Sequence, residues 1–516
     1  MADSITFKDF YIGTPDGETE ARNEKFEELF YDSNNKYSEL VENRHKFIIL
    51  GSKGSGKTYL ANYICKKAKK GQKCKIINSQ DFWIDRLANT SVEQENNAYV
   101  YALCKWFFLD KVSKVLLDHT NIIDKICPWN PKRKLAKFVK QYDNDETFKA
   151  IKSIESGCKT SEKGYMKSGT SNIKLNAYSL EDSNSFSTKN LKSKTRSIES
   201  ERKPFYELIN SYERLIFKAV SSKNDIIIIF DDLDELDKKL TKESAGNDII
   251  TNLLKIAKNY NTEFYDGNLK VRLILLVRTD ILDKLQSYDT NLSKIKTSCA
   301  VELYWLTNNE NEPHEQPLMS MVLHKIKASC PQLATYTNKD LYTRLFPEKI
   351  DNKRPIDYIL DNSFGRPRDI VTFLNYVIDM FPDNAYFTAL SVKAIRKFYS
   401  SDFYNELLNE VYFHEAPEYT LDCFKLISSL KKTSFDYADI SDHYKENHLL
   451  YPAINDINLA LEYLYKIGAI GNVWKVKKGQ KEKLYTSWAY KKDAMNEVDL
   501  TKRFTIHYAL RKKFAL

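Results

Sequence analysis

Phe47-Ile48-Ile49-Leu50-Gly51-Ser52-Lys53-Gly54-Ser55-Gly56-Lys57-Thr58 is an apolar run followed by a glycine-rich turn, and the helical pattern Tyr59-Leu60-Ala61-Asn62-Tyr63-Ile64 comes next. The run reads as a buried strand, because four to eight apolar residues bounded by a turn fit a strand better than a helix. The spacing G-x-x-x-x-G-K-T is that of a phosphate-binding loop, in the strand, loop and helix context the motif requires. Its glycines let the backbone curl until several N–H groups of Gly51, Ser52, Lys53, Gly54, Ser55 and Gly56 face one anion, and the helix start adds its partial positive charge. Lys57 would then reach the β- and γ-phosphates of ATP, and the Thr58 hydroxyl would ligate Mg²⁺. A chance glycine turn is the bland alternative, and the flanking strand and helix argue against it.

The second informative stretch is Asp225-Ile226-Ile227-Ile228-Ile229-Phe230-Asp231-Asp232-Leu233-Asp234. Four consecutive isoleucines read as a strand buried on both faces of a parallel sheet. Beside a phosphate loop, Asp231 is the candidate to hold Mg²⁺ and Asp232 the candidate to orient or deprotonate the attacking water. A solvated acidic turn is the alternative, since Glu235 and Asp237 follow. Lys270–Asp280 is a third buried run that stops at Arg278. There the arginine would either report the γ-phosphate from the sheet's carboxyl edge or form an ion pair with Asp280 or Asp283. With Gln72–Asn78 and Cys299–Trp305 as further strands, the chain predicts an α/β fold with a doubly wound parallel five-stranded sheet.

Outward from that sheet the expectations follow the chain. Residues 1–45 form a helical lead-in and 46–310 an ATPase core. Within it, 95–150 is helical, with Tyr99, Tyr101, Trp106, Phe107 and Phe108 read as core rather than as a base-stacking platform. A Ser/Lys-rich insertion of about 152–203 follows, with an exposed hairpin at 172–179. Residues 311–415 form a helical lid containing Gly365-Arg366-Pro367-Arg368. Its Pro367 and Arg368 either close on the base and phosphates or make a capping turn. Residues 416–516 give three helices and two short strands, the pattern of a C-terminal winged-helix domain. Its lysine-rich turn would suit DNA phosphate or be simply solvated.

The 516 residues are 42% hydrophobic and 29% charged, with a net charge of +9 and a pI near 8.8. That charge permits nucleic acid contact without demanding it. No apolar run approaches the ~20 residues of a membrane span, and Met1-Ala2-Asp3-Ser4-Ile5 lacks the features of a secretory signal. Eight scattered cysteines indicate neither a disulfide framework nor a zinc site, and read as reduced thiols of a cytoplasmic protein.

Taken in order, Gly51–Thr58, Phe230–Asp234, Arg278 and Gly365-Arg366-Pro367-Arg368 resemble the AAA+/STAND branch of P-loop NTPases, over most of 17–516. The lid turn with a winged helix behind it also resembles origin-recognition ATPases. The closest likeness is to bacterial ATPases with a GRPRD turn and a winged-helix tail, a group that recurs in anti-phage defence loci. The resemblance implies ATP and Mg²⁺ as cofactors, Thr58 and Asp231 toward the metal, and Asp232 activating water. It also implies Arg278 and Arg368 as nucleotide sensors, with Lys57 and Arg278 counted among the catalytic groups. Homo-oligomerisation, a protein partner and no membrane are expected. A trans arginine from Arg272, Arg278 or Arg366 stays open, as does ATP-controlled DNA binding.

Overall fold

Runs of β-branched and aliphatic residues with no polar face can be satisfied only where both faces of a sheet are covered; three such runs, at 48–51, 225–230 and 270–278, lie between two more polar edge strands, so that five strands meet side by side. In the computed structural model they are β1 (Ile48–Gly51), β2 (Gln72–Ile77), β3 (Asp225–Phe230), β4 (Lys270–Arg278) and β5 (Ala300–Glu302). Their order is β2-β3-β4-β1-β5, and every pairing is parallel. The fold is therefore α/β, with the acidic strand separated from the first by β4, as expected. The structure describes residues 5–78, 97–118, 127, 129–142, 205–220, 225–233, 243–307, 312–411, 416–478, 481–491 and 497–516. The 152–203 insertion and its expected hairpin lie outside them.

The chain divides into two compact units, one of residues 1–92 and 224–516 and one of 93–223. In the first, the helix Lys57–Lys66 lays Leu60, Ala61 and Ile64 on Ile49, Ile227, Ile229, Ile274 and Leu276. The helix Glu243–Asp266 packs along β4. Ile48, Leu50, Ile226, Ile228 and Leu275, on the opposite parity, are just as buried. β2 forms one edge and carries Lys73 and Lys75, charges of the kind that discourage edge-to-edge pairing.

Six helices occupy 317–411: Pro317–Ser329, Asn338–Leu345, Pro355–Asp361, Pro367–Met380, Ala389–Ala394 and Arg396–Val411. Behind them come Pro417–Ser429, Tyr437–Asn447 and Ile457–Lys466. An antiparallel sheet ordered β6-β9-β7-β8 accompanies these last three helices. Its strands are β6 (Ser434–Phe435), β7 (Ile470–Lys478), β8 (Lys481–Ser487) and β9 (Arg503–Ile506). After β9 the chain turns helical over Tyr508–Arg511.

One apolar cluster runs from Phe7 and Ile12 through Leu318, Phe373 and Phe403 to Leu461, Phe504 and Leu510. The N-terminal segment is thus anchored far along the chain. Phe7 stacks 4.5 Å from Phe387, and its N–H donates to the Asn384 carbonyl at 2.8 Å. Its helices are short (Gly17–Ala21, Phe26–Leu29 and Lys36–Glu42). Asn34 and Asn35, at φ 55° and 54°, break the path between the last two, a conformation asparagine tolerates better than most residues.

The expectation of reduced thiols fails at one place: Cys65 and Cys74 form a disulfide. Cys65 ends the helix after the glycine loop and Cys74 lies in β2, so the tight turn at Gly71 (φ +90°) returns the two close together. Proximity through this turn is not visible as a C-x-x-C spacing.

In the second unit the helices Asn97–Leu117, Pro131–Tyr142 and Phe205–Ala219 pack on one another. Trp106 lies against Phe138, Phe205 and Tyr212, and Trp106, Phe107 and Phe108 are buried. These aromatics are core, not a stacking platform.

Candidate functional site

Register assembles the site. Gly51 pairs with Arg278 across β1 and β4, and Ile77 pairs with Phe230 across β2 and β3. The glycine loop, Arg278 and Asp231 thus leave the sheet at the same carboxyl edge. They line a cavity of about 250 Å³ with Lys53, Gly54, Ser55, Gly56, Lys57, Thr58, Asp232, Trp305, Pro367 and Arg368. Thr14, Pro15, Asp16, Tyr31 and Asp32 of the N-terminal segment close another side. Ser52 lies on a neighbouring groove with Lys53 and Arg278.

Gly54 and Gly56 hold φ of +78° and +96°, which only glycine adopts at no steric cost. At Gly54 a Cβ would also stand 3.1 Å from Cβ of Arg368, so the lid turn rests on the loop. The Arg368 N–H approaches the Gly54 carbonyl at 3.4 Å, and the Trp305 indole donates to the Ser55 carbonyl at 2.9 Å. Lys57 Nζ donates to the carbonyls of Gly51 and Ser52 at 3.0 and 3.1 Å, which places the ammonium inside the curl of the loop. The Thr58 hydroxyl donates to Asp231 Oδ2 at 2.6 Å. Asp231 is 4% exposed, and its Oδ1 accepts from the Asp232 N–H at 2.8 Å. Asp232 itself sits at φ 55°, an uncommon conformation for a non-glycine residue.

A hydroxyl and a buried carboxylate in contact form an oxygen-only donor pair, the chemistry a hard divalent cation takes. The Ser55 hydroxyl, buried with no hydrogen-bond partner in the protein, adds an orphaned polar atom to the cradle. These residues fit Mg²⁺ and a phosphate chain.

The arginines sort by geometry. Arg278 donates from Nε and Nη2 to Asp280 at 3.0 and 2.5 Å, and Nη2 lies 3.7 Å from Glu410. It therefore makes the Asp280 ion pair while also lining the cavity; Asp283 pairs instead with Lys296. Arg366 is buried between Asp369 and Glu410, with Nη1 3.0 Å from Glu410 Oε2. Arg272 donates to backbone carbonyls of Leu40 and Asn43. All three are at most 7% exposed, which withdraws them as arginines offered to a neighbouring copy. Arg368 donates to Glu406 at 2.9 Å and to the Pro15 carbonyl at 3.2 Å. Pro367 begins the helix Pro367–Met380, as a capping turn would, and also walls the cavity. Gly365, at φ +67°, has the Leu306 side chain 2.4 Å from where a Cβ would be, which fixes glycine there.

Burial lowers the Lys53 pKa, with Glu410 and Glu406 working against the shift. At Glu410 burial acts to raise the pKa, but Arg366 and Arg278 prevail and hold the carboxyl below its usual range. Asp369 is raised by burial, which Arg366 only partly offsets.

Sequence reasoning missed Glu406, Glu410 and the Trp305 indole. It also missed a buried ion pair, Glu20 with Lys325, each 3% exposed, beside Tyr59 in the cavity wall. No spacing rule links these residues to the loop. Asp234, Glu235 and Asp237 lie outside the described residues. No helix among the described residues is long and apolar enough to cross a membrane.

Residues 316–408 match the family described as the FunZ-associated C-terminal helical domain, well under half of the chain. The match takes in the lid turn and Glu406. No curated protein is significantly similar in sequence. A solved structure, "Structure of Drosophila ORC bound to DNA", aligns over 95% of this chain and 90% of its own at 10% identity. Its TM-score is 0.29, too low to carry an argument.

Proposed function

We propose that the chain is an ATPase of AAA+/STAND type, a cytoplasmic Mg²⁺-ATP switch that self-associates and acts with a protein partner in bacterial anti-phage defence. The defence role rests on the resemblance of its motifs alone. The observation that carries the ATPase reading is the Thr58–Asp231 contact at 2.6 Å, set beside a left-handed glycine loop at the carboxyl edge of a parallel sheet. Lys57 and the loop N–H groups bind the β- and γ-phosphates, and Thr58 and Asp231 hold the metal. Bound Mg²⁺ supplies charge neutralisation on the phosphate oxygens. Asp232 orients a water and takes its proton while that oxygen attacks the γ-phosphorus in line, and the bond to the β-phosphate oxygen breaks to give ADP and phosphate. Arg278 and Arg368 sense the γ-phosphate, and the lid is the element whose position follows it.

The C-terminal segment fits a winged helix, with β7 and β8 as the wing. The outer face of its third helix, Ile457–Lys466, presents Leu459 (58% exposed), Glu462 and Lys466. A carboxylate amid that face repels DNA phosphate, and an exposed leucine suits a protein surface. A second reading, ATP-controlled DNA binding, is favoured by exposed Lys475, Lys477 and Lys483 on the hairpin.

The test is ATP turnover by the purified protein with and without duplex DNA. Lys57→Ala should abolish tight ATP binding, and Asp232→Asn should bind ATP without turning it over. Normal turnover in Asp232→Asn would overturn its role. Stimulation by DNA, lost on neutralising Lys477, Lys478 and Lys481, would favour the second reading.

A further inference from the structure

Glu406 and Glu410 lie one turn apart on the helix Arg396–Val411, and four cations from three segments converge on them. Glu406 accepts from Arg368 at 2.9 Å. Glu410 accepts from Arg366 at 3.0 Å and lies 3.7 Å from Arg278. Lys53 of the glycine loop feels both carboxylates. With Asp280 and Asp369 the set holds four cations (Lys53, Arg278, Arg366 and Arg368) and four carboxylates, a balance of zero. Lys53, Arg278 and Arg368 also line the cavity, whereas Glu406 and Glu410 do not. Glu410 lines the neighbouring groove with Lys53 and Arg278, so these cations face the cavity on one side and a carboxylate on another.

The preceding turns of the same helix are fastened to the C-terminal segment. Phe403 stacks on His507 at 5.0 Å, Tyr404 meets Phe514, and the Lys513 N–H donates to Ser400 Oγ at 2.8 Å.

We propose that Glu406 and Glu410 are positioning residues that compete with the terminal phosphate of a nucleotide for Arg368 and Arg278, and that their helix passes the outcome to the C-terminal segment. The inference rests on the ATP-binding reading above. On the ATP-binding reading the terminal phosphate is the group that contends for these arginines, so the competition acts on ATP and not on ADP. A ligand moves a two-state element only by its differential affinity for the two states, and here that difference resides in one phosphate.

The experiment is calorimetric titration of the full chain with Mg²⁺-ATP and Mg²⁺-ADP, with hydrogen exchange followed over 508–516. Glu406→Gln should raise the ATP-to-ADP affinity ratio roughly threefold or more, the scale of a half-exposed ion pair. Glu406→Asp, which keeps the charge, should restore most of the wild-type ratio. ATP, but not ADP, should change exchange over 508–516 in the wild type, and less so in Glu410→Gln. Because Glu410 is mostly buried and its variant could unfold, Glu406→Gln decides. An unmoved ratio in Glu406→Gln, with a wild type that binds ATP, sinks the proposed competition alone. A wild type that binds no ATP sinks the ATPase reading and the competition with it.

Discussion

Acid should loosen this protein through one imidazole. His507 is fully buried where the lid turn, the helix Arg396–Val411 and the C-terminal segment meet, with ring centroids of Phe403, Phe364 and Trp488 at 5.0, 5.1 and 5.2 Å. Its Nδ1 accepts from the Ala509 N–H at 3.3 Å, and the Tyr490 hydroxyl lies 3.3 Å from Nε2. Burial pushes its pKa down to about 3. The unfolded chain protonates this group below about pH 6.5 while the native chain does not, so the unfolded state binds more protons and stability falls with falling pH. At pH 5.0 the gap of about 1.5 pH units is worth about 2 kcal/mol, at 1.36 kcal/mol per unit. The assay is urea unfolding at pH 7.5 and 5.0, followed by tryptophan fluorescence, for the wild type and His507→Asn. Asparagine keeps an acceptor for the Ala509 N–H but cannot ionise. Carboxylates that titrate in both proteins cancel in the difference. The wild type should lose about 2 kcal/mol more than the variant between the two pH values. Equal losses would refute the assignment of a buried neutral imidazole.

Removing one partner from the buried charge cluster should cost far more than removing all of it. Arg366→Met leaves Asp369 without its cation and Glu410 with only the more distant Arg278, and should lower stability by about 3–5 kcal/mol, read as a drop in thermal midpoint. The triple change Arg366→Met, Asp369→Asn, Glu410→Gln should recover much of that, and no recovery would mean the cluster holds the lid by shape rather than charge. Trp305→Phe deletes the hydrogen bond to the Ser55 carbonyl and should weaken ATP binding about fivefold, for about 1 kcal/mol; unchanged affinity would show that the glycines alone hold the loop. Gly54→Ala forces a left-handed alanine against Arg368, at about 1–2 kcal/mol of strain, and should weaken ATP binding tenfold or so, with an unaltered affinity arguing for a relaxed loop. Peptide mapping without reductant should recover the Cys65–Cys74 link, and a full set of free thiols would contradict it.

The parallel sheet was legible because burial on both faces leaves its mark in consecutive residues, as in Ile226–Ile229, and the glycine loop because its left-handed backbone at Gly54 and Gly56 calls for glycine at fixed positions. The structure adds what local pattern does not encode. Glu406 and Glu410 sit on an amphipathic helix where two more acids look like solvated surface, and only the return of that helix to Arg366 and Arg368 gives them partners. The N-terminal segment looked like a lead-in, yet Phe7 joins a core built mainly from residues beyond 317. Arg272 was readable as a candidate for a neighbouring copy because sequence shows charge and not depth. Its guanidinium in fact closes the loop ahead of β1 by bonding to backbone carbonyls.

That distribution bears on how the proposed switch would work. The glycine loop and the Thr58–Asp231 pair sit directly at the ends of strands packed on both faces, where a shift of even an ångström would open voids in a dense interior. They are suited to hold a ligand, not to move with it. Arg368 and Glu406, by contrast, are about 30% exposed and join elements through an ion pair, an interaction that can be exchanged for a phosphate without unpacking a core. Movement should therefore begin at the arginines of the lid turn and not in the sheet. A variant that stiffens the sheet should leave ATP discrimination alone, while one that replaces Glu406 should not.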